Sequence, residues 1–126
     1  MGWRPMKKKK GKLKGQAFNL DPWKFCVIVF HGEPKLFQDY AKKKYKEEID
    51  LEHSLGYTMF TPGAPIIVWL KDLKNITTMS HELLHATSFI LRDRGLKHTY
   101  DTEEAYTYTF TDLLDKVMKN KRWFRV

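Results

Sequence analysis

The sequence predicts an α+β domain in which a small sheet is backed by three helices. Short apolar runs rich in β-branched and aromatic residues at 25–30, 56–60 and 66–70 have the length and composition of strands. The stretch opened by Pro34 repeats its apolar residues at spacings of three and four, and so do the stretches following Thr77 and Thr102. At 126 residues, with 42% hydrophobic residues and no internal repeat, the chain fits one domain with a single core.

Residues 1–20 read as a basic arm outside that core. Arg4, Lys7, Lys8, Lys9, Lys10, Lys12 and Lys14 crowd its first fifteen positions without one acid, a composition that buries no face and predicts disorder. The domain proper then runs over 21–118. Its first strand is expected at 24–30, apolar on both faces as in a sheet interior. Pro34 suits the first turn of a supporting helix whose inner face is Leu36, Phe37, Tyr40, Ala41 and Tyr45, with Lys42, Lys43, Lys44 and Lys46 on the solvated side. After a connection containing His53, read as a surface residue, the strands 56–60 and 66–70 flank a Pro62-Gly63 turn.

The next helix, capped by Thr77 or Thr78, carries Met79, Leu83, Leu84, Ala86, Phe89, Ile90 and Leu91 in nearly every direction. It is expected to be central and buried, with Gly95 as its left-handed stop. Asp101 or Thr102 can cap the last helix, whose stripe is Tyr106, Phe110, Leu113, Leu114 and Val117. On that helix Glu103 projects near the middle of the stripe and Glu104 about 100° to one side. Residues 119–126 form a basic aromatic tail with Trp123 and Phe124.

Charge is unevenly spread. The net +8 comes from the ends, seven cations in the arm and five between Lys116 and Arg125; the remaining 11 basic and 15 acidic residues leave the body at about −4. The termini are therefore candidate contacts for nucleic-acid phosphates, with plain solubility as the bland alternative. Cys26, the single cysteine, lies in an apolar run and reads as a buried inert thiol, compatible with a reducing, cytoplasmic setting. The longest such run is too short for a secretory signal or a bilayer span, so no membrane partner is expected.

The chemistry concentrates in Ser80-His81-Glu82-Leu83-Leu84-His85. Two histidines four apart lie on one helical face about one turn apart, where both imidazoles can reach one metal ion, and Glu82 beside the first is placed to take a proton from water. With five His and seven Glu in the chain, chance yields this pattern roughly 0.01 times. Eighteen residues separate His85 from Glu104, which opens the last helix as Glu104-Ala105-Tyr106.

Over about residues 66–117 this resembles the gluzincin group of zinc peptidases, whose pattern is HExxH, eighteen residues, then Glu. The resemblance implies Zn2+ held by His81, His85 and Glu104, Glu82 as general base, and hydrolysis of peptide bonds in a protein or peptide substrate. It also implies a minimal zincin-like fold: a small sheet, one supporting helix, a metal helix and a glutamate helix. In that fold the strand ahead of the metal helix lies at the sheet edge, where an extended peptide can pair; 57–60 and 66–70 are the candidates. Periodicity favours Glu103 as the inward carboxylate, the family spacing Glu104. His98, Tyr100, Tyr106 and Tyr108 are candidates for stabilising an oxyanion, each weighed against a packing or surface role. The size is close to that of compact peptidase domains of bacteria and their mobile elements. The alternative is a non-catalytic zincin-fold binding or structural module, attached to nucleic acid or a larger assembly through its basic ends.

Overall fold

The computed structural model describes residues 11–120; the arm before residue 11 and the tail beyond residue 120 fall outside the described residues. The protein is a small α+β protein with a four-stranded mixed sheet and three helices. Strands β1 (Lys14–Leu20), β2 (Phe25–His31), β3 (Gly56–Met59) and β4 (Ile66–Leu70) lie in the order β1-β2-β4-β3. β2 and β4 are parallel, and each edge strand runs antiparallel to its neighbour. Helix α1 (Pro34–Tyr45) covers one face of the sheet; α2 (Ile76–Asp93) and α3 (Glu103–Met118) cover the other.

Alternation along the strands divides the core into two layers. Val27, Val29, Ile66, Val68 and Leu70 face α2 and α3, where Met79, Leu83, Ala86, Ile90, Leu113 and Val117 meet them. Ile67, Trp69 and Met59 face α1 and pack with Phe37, Ala41 and Leu51. β4 is thus buried on both faces, which is why its sequence is an unbroken apolar run. Trp69 anchors the second layer: it is fully buried, stacks on Phe37 with centroids 6.0 Å apart, and donates from Nε1 to the Gly32 carbonyl at 3.2 Å. Pro34 opens α1 as anticipated, and Gly95 follows α2 at φ +83°.

Four expectations need correction. Residues 14–20, assigned to the arm, form β1, so the strand read as the first is the second. Gln16, Phe18 and Leu20 supply a period-two buried side that the lysines around them mask, and Gly15 lets the backbone pass over the Phe30 ring, which a Cβ would meet at 2.6 Å. The strand directly ahead of α2, β4, is central, and β3 is the edge. Asn75, not Thr77 or Thr78, caps α2, its side chain accepting from the Thr78 N–H at 3.1 Å. Finally, α2 is not buried all round. Met79, Glu82, Leu83, Ala86, Thr87, Ile90 and Leu91 face inward, while His81, Leu84 and His85 are exposed, because the α3 contact and the sheet together cover only one side.

His31 ends β2 opposite Lys14 of β1. Burial, then the Lys14 charge, holds its imidazole below the ordinary histidine range. A histidine whose folded pKa is depressed stabilises the fold fully above its unfolded value, near 6.5, and loses that contribution as the pH falls through the folded value. We expect the urea midpoint of His31→Gln to fall less than that of the wild-type chain between pH 7.5 and pH 5.

Candidate active site

The site is built where the edge strand β3 crosses α2. Helical spacing brings His81 and His85 together with their Nε2 atoms 3.1 Å apart and their rings nearly perpendicular, at 82°. Two nitrogens each about 2.0–2.1 Å from one tetrahedral zinc lie about 3.3 Å apart, so the pair is spaced as two ligands of a single ion would be. The same separation also suits a hydrogen bond between the rings, with one Nε2 protonated. Both rings are exposed, so neither depends on burial for its partner.

Glu82 points the other way, into the seam between α2 and β3, and is 7% exposed. Thr58 of β3 donates its hydroxyl to Glu82 Oε1 at 2.8 Å and lies 3.1 Å from the Glu82 carbonyl. That bond fixes the carboxylate's rotamer across 24 residues of sequence. Gly56 makes the close approach possible. A methyl group there would sit 2.7 Å from Glu82 Cγ, 2.9 Å from Thr78 Cγ2 and 3.0 Å from Glu82 Oε2. Gly56→Ala is therefore expected to cost about 1–3 kcal/mol by overpacking, read as a lower urea midpoint.

Two recesses flank this seam and share Gly56, His81 and Glu82. One, of about 370 Å³, is lined at its far end by Ser54, Leu55, Thr77 and Thr78. The other, of about 320 Å³, is lined by Tyr57, Thr58, His85 and Phe89. Together they form a shallow cleft along the sheet edge with the histidine pair and Glu82 near its middle.

Glu104 lies in the first turn of α3 and is exposed, as is Glu103. The stripe that α3 buries is Tyr106, Thr109, Leu113 and Val117, so the inward position anticipated for Glu103 is not found. Among the described residues, no three His, Cys, Asp or Glu side chains converge as a ligand set. The structure therefore brings His81 and His85 together but does not group Glu104 with them. The donor chemistry and spacing of the histidine pair fit two zinc ligands. Tyr106 is a packing residue: its hydroxyl donates to the Leu96 carbonyl at 2.5 Å and its ring stacks on His98. Tyr100 and Tyr108 are exposed. His53 lies on the surface, and Cys26 is half-buried, its thiol pKa raised by burial.

In the sequence Thr58 stands only within 57–60, a candidate for peptide pairing, Phe89 reads as an apolar residue of the metal helix, and Gly56 opens a strand; none is marked as a neighbour of Glu82 or the histidines. Gly56 carried a weak signal, a glycine at the start of a strand; Thr58 carried none, since its partner is remote in the chain.

Compared with known proteins, the chain matches no protein-family model, no curated protein and no solved structure. No helix among the described residues is long and apolar enough to cross a membrane.

Proposed function

We propose that the protein is a zinc-dependent peptidase with a minimal zincin-like fold. The observation that carries this is the pairing of His81 and His85 Nε2 atoms at 3.1 Å beside a glutamate held by Thr58. His81 and His85 would hold the ion, with Glu104 the third ligand by its spacing. Bound there, zinc would polarise the reacting carbonyl and make water acidic enough to lose a proton near neutral pH. The chain's own groups do the rest. Glu82 takes the proton from water as oxygen adds to the amide carbon, then passes it to the nitrogen as the C–N bond breaks. Thr58, by donating to one carboxylate oxygen, holds Glu82 in one rotamer, with the other oxygen beside Gly56 where the two recesses meet.

The open edge of β3 suits an extended substrate. Lys71 N–H donates to the Leu55 carbonyl at 2.9 Å, so in the alternating antiparallel register Tyr57 and Met59 bond to β4 while Gly56 and Thr58 turn their N–H and C=O groups outward. A peptide strand can pair there beside the histidines.

Elemental analysis tests the reading. One zinc per wild-type chain, lost in a His81→Ala, His85→Ala double variant, is the expected result; no zinc in wild type even after supply would sink it. A non-catalytic module is the second reading, favoured by one observation, that both Glu103 and Glu104 are exposed and no third ligand groups with the histidines among the described residues. Zinc bound without hydrolysis of any peptide would select it, and salt-sensitive nucleic-acid binding lost on removing the basic arm would give the ends their role.

A further inference from the structure

We infer that the cleft selects its substrate by one large apolar side chain, and that Phe89, backed by Phe60, is the residue that reads it. The inference rests on the cleft being a peptide site, as proposed above. β3 and α2 run in the same sense across the seam: Ser54 and Leu55 lie by Thr77 and Thr78, Thr58 by Glu82, and Phe60 by Phe89. Six strand steps from Ser54 to Phe60 span about 20 Å, and twelve helical steps from Thr77 to Phe89 about 18 Å, so the two walls match in length and admit about six residues of extended chain.

The two ends differ in chemistry. At one, the hydroxyl groups of Ser54, Thr77 and Thr78 share the lining with the exposed aliphatic side chain of Leu55, and among the described residues no Phe, Tyr or Trp ring lines it. At the other, Phe89 stands one helical turn beyond His85 on the same face, and its ring stacks on Phe60 with centroids 5.4 Å apart and planes 12° from parallel. Both rings are partly buried and pack on the core; Phe89 lines the cleft, and Phe60 backs it. An exposed aromatic surface in a concave recess gains most by burying another apolar group. Because Gly56 and Thr58 fix the register of a paired peptide through their backbone, a side chain at one set position relative to the histidines falls against Phe89, and a peptide's sequence is read there.

The test uses the full chain carrying Glu82→Gln, so that bound peptides are not consumed. Labelled eight-residue peptides, extended in character and identical except for one guest position scanned along them, are titrated by fluorescence anisotropy with Phe, Leu, Ser or Glu as guest. We expect Phe and Leu guests to bind about tenfold more tightly than Ser at one position, and the ratio to fall close to one in Phe89→Ala. Phe89→Leu, which keeps the core covered, should still prefer apolar guests but lose the preference for Phe over Leu. Equal binding of all guests, no peptide binding, an unmoved preference in both Phe89 variants, or a cleft filled by a second copy of the chain in sedimentation would each overturn the inference. Cleavage of the tight-binding peptides by the zinc-loaded wild-type chain is scored separately. Peptides bound with the apolar preference yet left uncut would sink the peptidase reading and leave this inference standing.

Discussion

Glu82→Gln is expected to keep one zinc per chain and to lose peptide hydrolysis by at least about a hundredfold. Positioned proton transfer contributes on the order of 10²- to 10⁴-fold, and an amide in place of the carboxylate removes the base while keeping its shape. The oxygen that receives the Thr58 hydroxyl persists in glutamine, so the seam between β3 and α2 should hold. The histidine double variant should behave differently, losing metal and turnover together. Glu104→Ala adds a third arm. If Glu104 completes the ligand set, zinc affinity falls while Glu103→Ala leaves it unchanged; equal effects of the two would remove the assignment to Glu104. Activity retained in Glu82→Gln would show that the proton goes elsewhere.

The second large effect is on stability. Trp69→Ala should cost about 3–5 kcal/mol, the range for deleting a large buried aromatic side chain. The cavity would open between the sheet and α1, where Trp69 stacks on Phe37, and the Gly32 carbonyl would lose its Nε1 donor. For a domain of this size that corresponds to a fall in Tm of about 12–20 °C. Trp69→Phe keeps ring contact and loses mainly the hydrogen bond and some volume, so a far smaller loss is expected, of about 1–2 kcal/mol. Trp69 lies in the layer opposite α2, so a version that still folds should bind zinc with unchanged stoichiometry. A loss of zinc from well-folded Trp69→Phe would show coupling through the sheet that these contacts do not provide.

The parts of this architecture that were legible in the sequence are those whose signal is local. β4 announces itself because both faces are buried and its residues are apolar throughout, and β2 because every residue before His31 is apolar, although only Val27 and Val29 are fully covered. The histidine pair is legible because four residues make one helical turn whatever lies around them. β1 is hidden because an edge strand needs only one apolar side, and here that side is just Phe18 and Leu20 after the polar Gln16, with Lys12, Lys14 and Gly15 before them. The exposure of His81 and His85 is not legible because Leu84, between them on the same face, is apolar and yet 51% exposed. The Thr58–Glu82 bond depends on which strand is the edge, and strand order is a tertiary property that periodicity does not encode. Glu103 and Glu104 remained in competition because neighbouring positions on a helix differ only by a rotation about an axis whose placement the packing decides.

The two rims of the sheet are unlike, and this bears on how the protein behaves in crowded solution. β1 is seven residues long and shields the apolar β2 from lateral contact, with Lys12 and Lys14 near its start to repel a neighbouring chain. β3 is only four residues long, with two residues' worth of outward backbone groups, too little to seed a growing fibril. Among the described residues the two rims thus disfavour lateral growth by different means, nearby lysine charge at β1 and shortness at β3.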